Sequence, residues 1–93
     1  MVQLDVRFMS IARMRAGVSR VDFESSGETL REVLRQISEK YRMGDIILAE
    51  NGEVRSWARV LVNGRFHEFV GGLNALLRDG DRVAVIYPYT ENF

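Results

Sequence analysis

The sequence contains no cysteine and only one histidine, His67. Without a thiol, the chain cannot form a disulfide, a thiolate metal site or a cysteine nucleophile. A single imidazole also lacks the second His or Cys that a metal site of this kind would need. His67 stands next to Glu68 and is predicted to be a solvated residue of a hairpin.

The sequence also lacks an excess of charge of either sign and any long apolar run. Thirteen basic residues balance thirteen acidic ones. Non-specific binding of nucleic acid needs a basic surplus, so we expect no nucleic-acid partner. No apolar run approaches the length that crosses a membrane, and the first residues show no basic region leading into an apolar stretch. These features predict a cytoplasmic protein without a membrane partner.

Residue patterns typical of catalysis are missing as well. There is no glycine-rich loop that could cradle a phosphate, and no nucleophile stands beside a base. Asp45, Glu50 and Glu53 share one loop but do not have the spacing of a calcium loop. We therefore expect no enzyme activity of the chain alone, no catalytic residue, no cofactor and no metal site.

The first half of the chain carries clear signals for two strands and a helix in a single domain, residues 1–93. Apolar and polar residues alternate from Leu4 to Phe8, which predicts a strand. Residues 10–16 are expected to form a turn or one helical turn closed by Gly17, and a second strand is marked by three apolar residues, Val18, Val21 and Phe23.

A capping box, Thr29 to Glu32, marks the start of a helix. Apolar residues then recur at helical spacing, which predicts a helix that packs on a sheet. They are Leu30, Val33, Leu34, Ile37 and Tyr41. Gly44 follows the last turn and is expected to cap its C-terminal end.

The second half predicts an irregular segment, a hairpin and a late strand. Residues 43–56 are expected to be irregular, with a turn at Asn51-Gly52. Residues 57–62 form a strand, and Asn63-Gly64 predicts a tight hairpin that returns through Phe66 and Glu68. Gly71-Gly72 precedes a loop or short helical turn, and the final strand, residues 83–87, lies between a turn at 79–81 and Pro88.

Two hairpins, one helix between them and a late strand predict an α+β fold. The last strand is expected to pair in parallel with the first, in the middle of a mixed sheet of four or five strands. This is the β-grasp topology of ubiquitin, with the main helix on one face of the sheet.

Six short segments, in order, resemble the ThiS/MoaD family of ubiquitin-like sulfur carriers. They are Val6-Arg7-Phe8 leading to Ile11-Ala12-Arg13 and Gly17, the helix start at Thr29-Leu30, Val62-Asn63-Gly64-Arg65, Gly71-Gly72-Leu73, and Asp79-Gly80-Asp81-Arg82-Val83-Ala84. The resemblance covers nearly the whole chain. It implies the β-grasp fold and a role related to molybdopterin biosynthesis. The partners it implies are a MoeB-like activating enzyme or a MoaE-like large synthase subunit.

The end of the chain departs from this family. Family members end in Gly-Gly, which is adenylated and thiocarboxylated before sulfur is delivered to molybdopterin or to the thiazole of thiamin. Here Glu91 and Asn92 stand where the two glycines should be, and Phe93 follows them. Two functions therefore stay open. One is a component of cofactor assembly with an altered tail, and the other is a β-grasp interaction or regulatory module without sulfur transfer.

Strand alternation also predicts which side chains would meet a partner. One face of the sheet is expected to lie against the helix, with Leu4, Val6, Phe8, Ala58, Val60, Val62, Val83, Val85 and Tyr87. The other face would expose Arg7, Met9, Trp57, Arg59, Leu61, Arg82, Ala84 and Ile86. The predicted partner-binding residues come from this exposed face and from the tail. They are Arg7, Met9, Arg59, Leu61, Arg82, Ile86, Tyr89 and Thr90. The alternative is that Met9 packs beneath residues 10–16 and Trp57 beneath residues 43–56, which would leave only scattered apolar exposure.

Overall fold

Alternating apolar residues build five strands into one mixed sheet. The computed structural model describes residues 1–89. In chain order its elements are β1 (Val2–Ser10), α1 (Ile11–Ala16), β2 (Arg20–Ser25), α2 (Leu30–Tyr41), β3 (Arg59–Val62), β4 (Arg65–Phe66) and β5 (Arg82–Tyr87). Two short 3-10 turns, His67–Phe69 and Gly72–Asn74, lie between β4 and β5. The strand order is β2-β1-β5-β3-β4.

The last strand lies at the centre of this sheet. β5 pairs in parallel with β1, where Val6 is opposite Val83, and antiparallel with β3, where Val60 is opposite Val85. Val83 and Val85 are fully buried because strands flank them on both sides and α2 covers their face. The predicted α+β, β-grasp architecture is confirmed.

The helix α2 begins at the predicted cap and packs as predicted. The Thr29 side chain accepts a hydrogen bond from the Glu32 amide at 3.3 Å. The apolar stripe of α2 is buried against the sheet, and Tyr41 at its end meets the Phe8 ring edge-on, with centroids 5.1 Å apart.

The predicted cap at Gly44 is wrong, because the helix ends earlier. Arg42 adopts the left-handed conformation, with φ 56°, and its amide donates to the carbonyl of Ser38. Met43, the next residue, is fully buried and also donates its amide to Ser38, at 2.8 Å. The chain therefore has to turn into the core at position 42, two residues before the glycine.

The connection between β1 and β2 is a longer helix than the sequence predicts. α1 spans six residues, and Gly17 ends it with φ +79°, a conformation that suits glycine. β2 begins at Arg20, so Val18 lies in the turn before the strand and not in it.

The predicted turn of the β3–β4 hairpin is confirmed, but the predicted lengths of its two strands are wrong. Asn63 and Gly64 both have positive φ, 52° and 84°, as a tight hairpin turn requires. β3 starts at Arg59 and not at Trp57, and β4 contains only Arg65–Phe66. The chain then coils into a 3-10 turn, so Glu68 is not part of a returning strand. Residues 43–56 are irregular, as predicted, apart from one isolated bridge between Leu48 and Val54.

Candidate partner-binding surface

The strand register places most of the predicted partner-binding residues on the sheet face opposite α2. One row crosses the sheet as Arg7, Ala84 and Leu61, and the next row as Met9, Ile86 and Arg59. Arg82 lies beside Asp5 at the edge of this area. We call this area the outward face. The structure thus brings together six of the eight predicted side chains.

The outward face is apolar at its centre and accessible there. Met9 is 43% exposed, and Trp57, just before β3, is 61% exposed. The alternative in which both side chains are covered by loops is therefore wrong. Ala84 is 5% exposed, which corrects its predicted exposure. Its small side chain stands between the longer side chains of Arg7 and Leu61, which shield it from solvent.

Asp5 organises the charged side of the outward face. Its carboxylate lies 3.3 Å from Arg7, 3.2 Å from Arg20 and 3.7 Å from Arg82. The hydrogen bond from Arg7 is the largest cause that lowers the pKa of Asp5; partial burial opposes it, and the charges of the three arginines add to the lowering. One carboxylate therefore holds three guanidinium groups beside the apolar centre. The sequence alone did not single out Asp5, because only the strand register brings these arginines together.

An aromatic cluster fixes the chain after β5. The Tyr89 amide donates to the Trp57 carbonyl at 2.8 Å. The Tyr89 ring meets Phe66 edge-on at 5.8 Å, and the Arg59 guanidinium lies over the same ring at 5.2 Å. Phe69, 80% exposed, lies 6.5 Å from Phe66. Tyr89 is thus attached to the β3 side of the outward face, whereas Thr90, the eighth predicted residue, lies outside the described residues.

His67 is buried, and its predicted solvation is wrong. It is 7% exposed and lines a small cavity of about 160 Å³ with Arg55 and Ala58. Its Nδ1 lies 3.0 Å from a Glu68 carboxylate oxygen, but the geometry is too poor for a hydrogen bond. His67 follows Phe66, which pairs with the outward-facing Leu61, so strand alternation alone already directs the imidazole to the inner face.

The part of the chain that the structure describes contains no group of three or more His, Cys, Asp or Glu side chains placed to hold a metal ion. None of the helices among residues 1–89 is long and apolar enough to cross a membrane. The geometry offers a surface for contacts, with an apolar centre, aromatic side chains at one end and arginines around it.

Comparisons with known proteins give a consistent family. Small archaeal modifier protein 3 of Haloferax volcanii is 32% identical over 88 residues, which cover 94% of this chain and 96% of the relative. The solution structure of the Haloferax volcanii HVO 2177 protein has a TM-score of 0.81 at 30% identity and covers 98% of this chain and 87% of that one. The solution structure of small archaeal modifier protein 1 from Methanosarcina acetivorans, 24% identical, shares the fold with a TM-score of 0.80, over 99% and 98% of the two chains.

The model of the ThiS family matches residues 6–90. Proteins of this family are small carriers and modifiers and not catalysts. The chain belongs to the ThiS family of ubiquitin-like sulfur carriers and modifiers.

Proposed function

We propose that this chain acts by binding a partner protein through its outward face. The observation that carries the proposal is the accessible apolar centre, where Met9, which is 43% exposed, lies beside the partly buried Ile86 on β1 and β5. An apolar patch that water can reach is a liability unless a partner covers it. Apolar centres with arginine at their edges are typical of protein interfaces.

The proposed partner is a MoeB-like activating enzyme or a MoaE-like large synthase subunit of molybdopterin biosynthesis, in the cytoplasm. Support comes from the family and from the position of Tyr89. Because Tyr89 is held against Arg59 and Phe66 on the outward face, a protein that covers this face also contacts Tyr89, which directly precedes the tail residues. An enzyme of this type would need both contacts at once.

We further propose that binding occurs without formation of a thiocarboxylate. A carrier tail has to enter a narrow channel, and two glycines can do so because they have no side chains. Glu91 and Asn92 stand at those positions in this sequence, and Phe93 follows. Their side chains would obstruct the passage, so the chain would keep the contacts of a carrier and not its chemistry.

A second candidate function is that of a protein modifier attached covalently to other proteins. It is favoured by the relative of 32% identity, which is named a small archaeal modifier protein. Attachment to another protein also requires activation of a carboxylate. Sulfur transfer and protein modification therefore both predict an adenylated intermediate, whereas partner binding alone does not.

The test combines a titration with mass spectrometry. The protein is titrated against a MoeB-like enzyme and a MoaE-like subunit by calorimetry, and Ile86→Arg is expected to abolish binding because it places a charge in the apolar centre. Leu76→Arg is the matched control, since Leu76 is 71% exposed on another part of the molecule. Equal affinities of the wild type and Ile86→Arg would contradict the proposed surface.

The same enzyme is then incubated with ATP, a sulfide source and the protein. We expect the mass of the protein to stay unchanged. An adenylate or thiocarboxylate would contradict binding without carrier chemistry, and a mass increase equal to a second protein would establish the modifier function.

A further inference from the structure

The helix α1 and the turn after it form a groove beside the outward face. The groove has a volume of about 830 Å³, and its apolar wall consists of Ile11, Met14, Val18 and Pro88. Ile11 is 46% exposed, Met14 80% and Val18 41%. Because α1 has only six residues and fully buries Ala12 alone, Ile11 and Met14 stay open to solvent. This is a second apolar surface, separate from the pair of Met9 and Ile86.

A basic cavity of about 430 Å³ continues this groove. It is lined by Arg7, Arg13 and Arg20, and the two cavities share Ser10, Arg13 and Ser19. Arg7 and Arg20 both contact the single carboxylate of Asp5. Arg13 forms no ion pair within residues 1–89. This end of the groove therefore has more positive than negative charge.

The shape of the groove is fixed by the backbone. Ser10 joins β1 directly to α1 with φ 62° and ψ −136°, a conformation that residues other than glycine rarely adopt. Conformations of this kind persist where the surrounding structure imposes them. Ser10 lies in both cavities, so the junction that sets the angle of α1 also sets the geometry of the groove.

We propose that this groove docks an extended segment of a partner protein in which an apolar side chain stands next to Asp or Glu residues. The apolar side chain would fill the space between Met14, Val18 and Pro88. The carboxylates would pair with Arg13 and, beyond it, with Arg7 and Arg20. Guanidinium groups bind carboxylates in paired hydrogen bonds, and charge complementarity selects the partner.

This inference rests on the proposed function, because the groove meets the outward face at Arg7 and Met9. The contact in the groove, however, does not depend on Ile86. An enzyme bound to the outward face would place a loop of this chemistry in the groove. The two contacts can be tested separately, since a short peptide fits the groove and is too small to cover the outward face.

The test uses the full chain and a fluorescein-labelled peptide, Gly-Asp-Glu-Leu-Phe-Gly, in fluorescence polarisation. We expect saturable binding. Arg13→Glu and Met14→Ser should each weaken it about tenfold, the effect of losing roughly one good contact. Arg65→Glu and Leu76→Ser are matched controls, because both residues are exposed and lie away from the groove. A peptide with Lys-Lys in place of Asp-Glu should bind at least about tenfold more weakly.

Amide shifts in an NMR titration locate the peptide. We expect the peptide to shift the amide signals of Ser10, Arg13 and Val18. The same shifts should occur in Ile86→Arg and in a chain that ends at Tyr89. The proposal is overturned by an absence of binding, by shifts confined to Trp57 and Phe69, or by equal losses in Arg13→Glu and Arg65→Glu. It is also overturned if an oligonucleotide or an anionic vesicle binds through Arg13 more tightly than the peptide does. Loss of enzyme binding in Ile86→Arg with peptide binding intact would separate the two surfaces.

Discussion

Asp5 shows how one side chain can define a charged surface. Arg7, Arg20 and Arg82 come from three different strands, and they would repel one another without the carboxylate between them. The side chain of Asp5 is only 17% exposed, so solvent screens it less than it screens the arginines. The order of the charged rim therefore depends on the ionised state of this residue.

Asp5→Asn should lower the free energy of unfolding at pH 7 by about 1 kcal/mol, the upper end for partly exposed ion pairs. Chemical denaturation followed by Trp57 fluorescence would measure the change. The matched control is Asp22→Asn, since Asp22 is opposite Asp5 on β2 and is exposed. A loss in the control as large as that in Asp5→Asn would show that the position between the three arginines is not special.

The stability that Asp5 contributes should also depend on pH, and the direction of this dependence follows from the pKa of Asp5. The pKa of Asp5 in the folded protein lies below its ordinary value of 3.8. The stability that Asp5 contributes is therefore complete above that value and is lost as the pH falls through the lower, folded pKa. The difference between the wild type and Asp5→Asn should be constant from pH 5 to pH 7 and should disappear in more acidic solution. A difference that grew on acidification would contradict the assignment.

At the scale of elements, Pro88 and Tyr89, the described residues after β5, are attached through a side-chain cluster and are not part of a strand. Within residues 88–89, one backbone hydrogen bond, from the Tyr89 amide to the Trp57 carbonyl, joins this segment to the chain before β3. The contacts with Phe66 and Arg59 supply the remaining attachment. This geometry predicts that the position of Tyr89 depends on Phe66.

Phe66→Ala should therefore reduce the hydrogen-exchange protection of the Tyr89 amide several-fold, because edge-to-face pairs contribute roughly 1 kcal/mol. The measurement is amide exchange by NMR, with the Val85 amide as the internal standard for global stability. Phe69→Ala removes a neighbouring aromatic ring that pairs with Phe66 and forms no ring pair with Tyr89, and it serves as control. Unchanged protection of Tyr89 in Phe66→Ala would mean that the backbone bond alone holds the segment.

Elements whose signals are local could be predicted from the sequence. Thr29 and Glu32 marked the start of α2 because the cap involves residues three apart, and Asn63-Gly64 marked the hairpin because positive φ angles favour these residue types. The parallel pairing of β1 with β5 followed from the order of elements. Periodicity also assigned the side chains of the sheet to its two faces, although Ala84 on the outward face is buried and not exposed as predicted.

The errors arose where packing decides the outcome. The helix ends at Arg42 because Met43 enters the core, and His67 is buried because residues 55–58, just before β3, enclose it. The predicted outward face could be found from alternation. Asp5 with its arginines and the groove at α1 could not, since both depend on distances between residues of different elements.

At the scale of the whole molecule, β5 serves two purposes with alternate residues. Val83 and Val85 face α2 and belong to the core, whereas Ile86 faces outward beside Met9 and Arg59. Because neighbouring side chains of a strand point to opposite faces, stability and binding are encoded at adjacent positions. The fold can therefore keep its core while its outward face changes.

Val85→Ala should lower the free energy of unfolding by about 2 kcal/mol, the cost of removing two methyl groups from a fully buried site. For a chain of this size the melting temperature should fall by roughly 10 °C. Ile86→Ala, one residue further, is only partly buried and should lower the free energy by less than about 1 kcal/mol. Calorimetric unfolding measures both. If the inward side chains of β5 serve stability and its outward ones serve binding, Val85→Ala should bind the partner with unchanged affinity, measured at a temperature where this variant is folded. Ile86→Ala should bind the partner more weakly. Equal losses of stability in the two variants would show that the outward face also carries the fold.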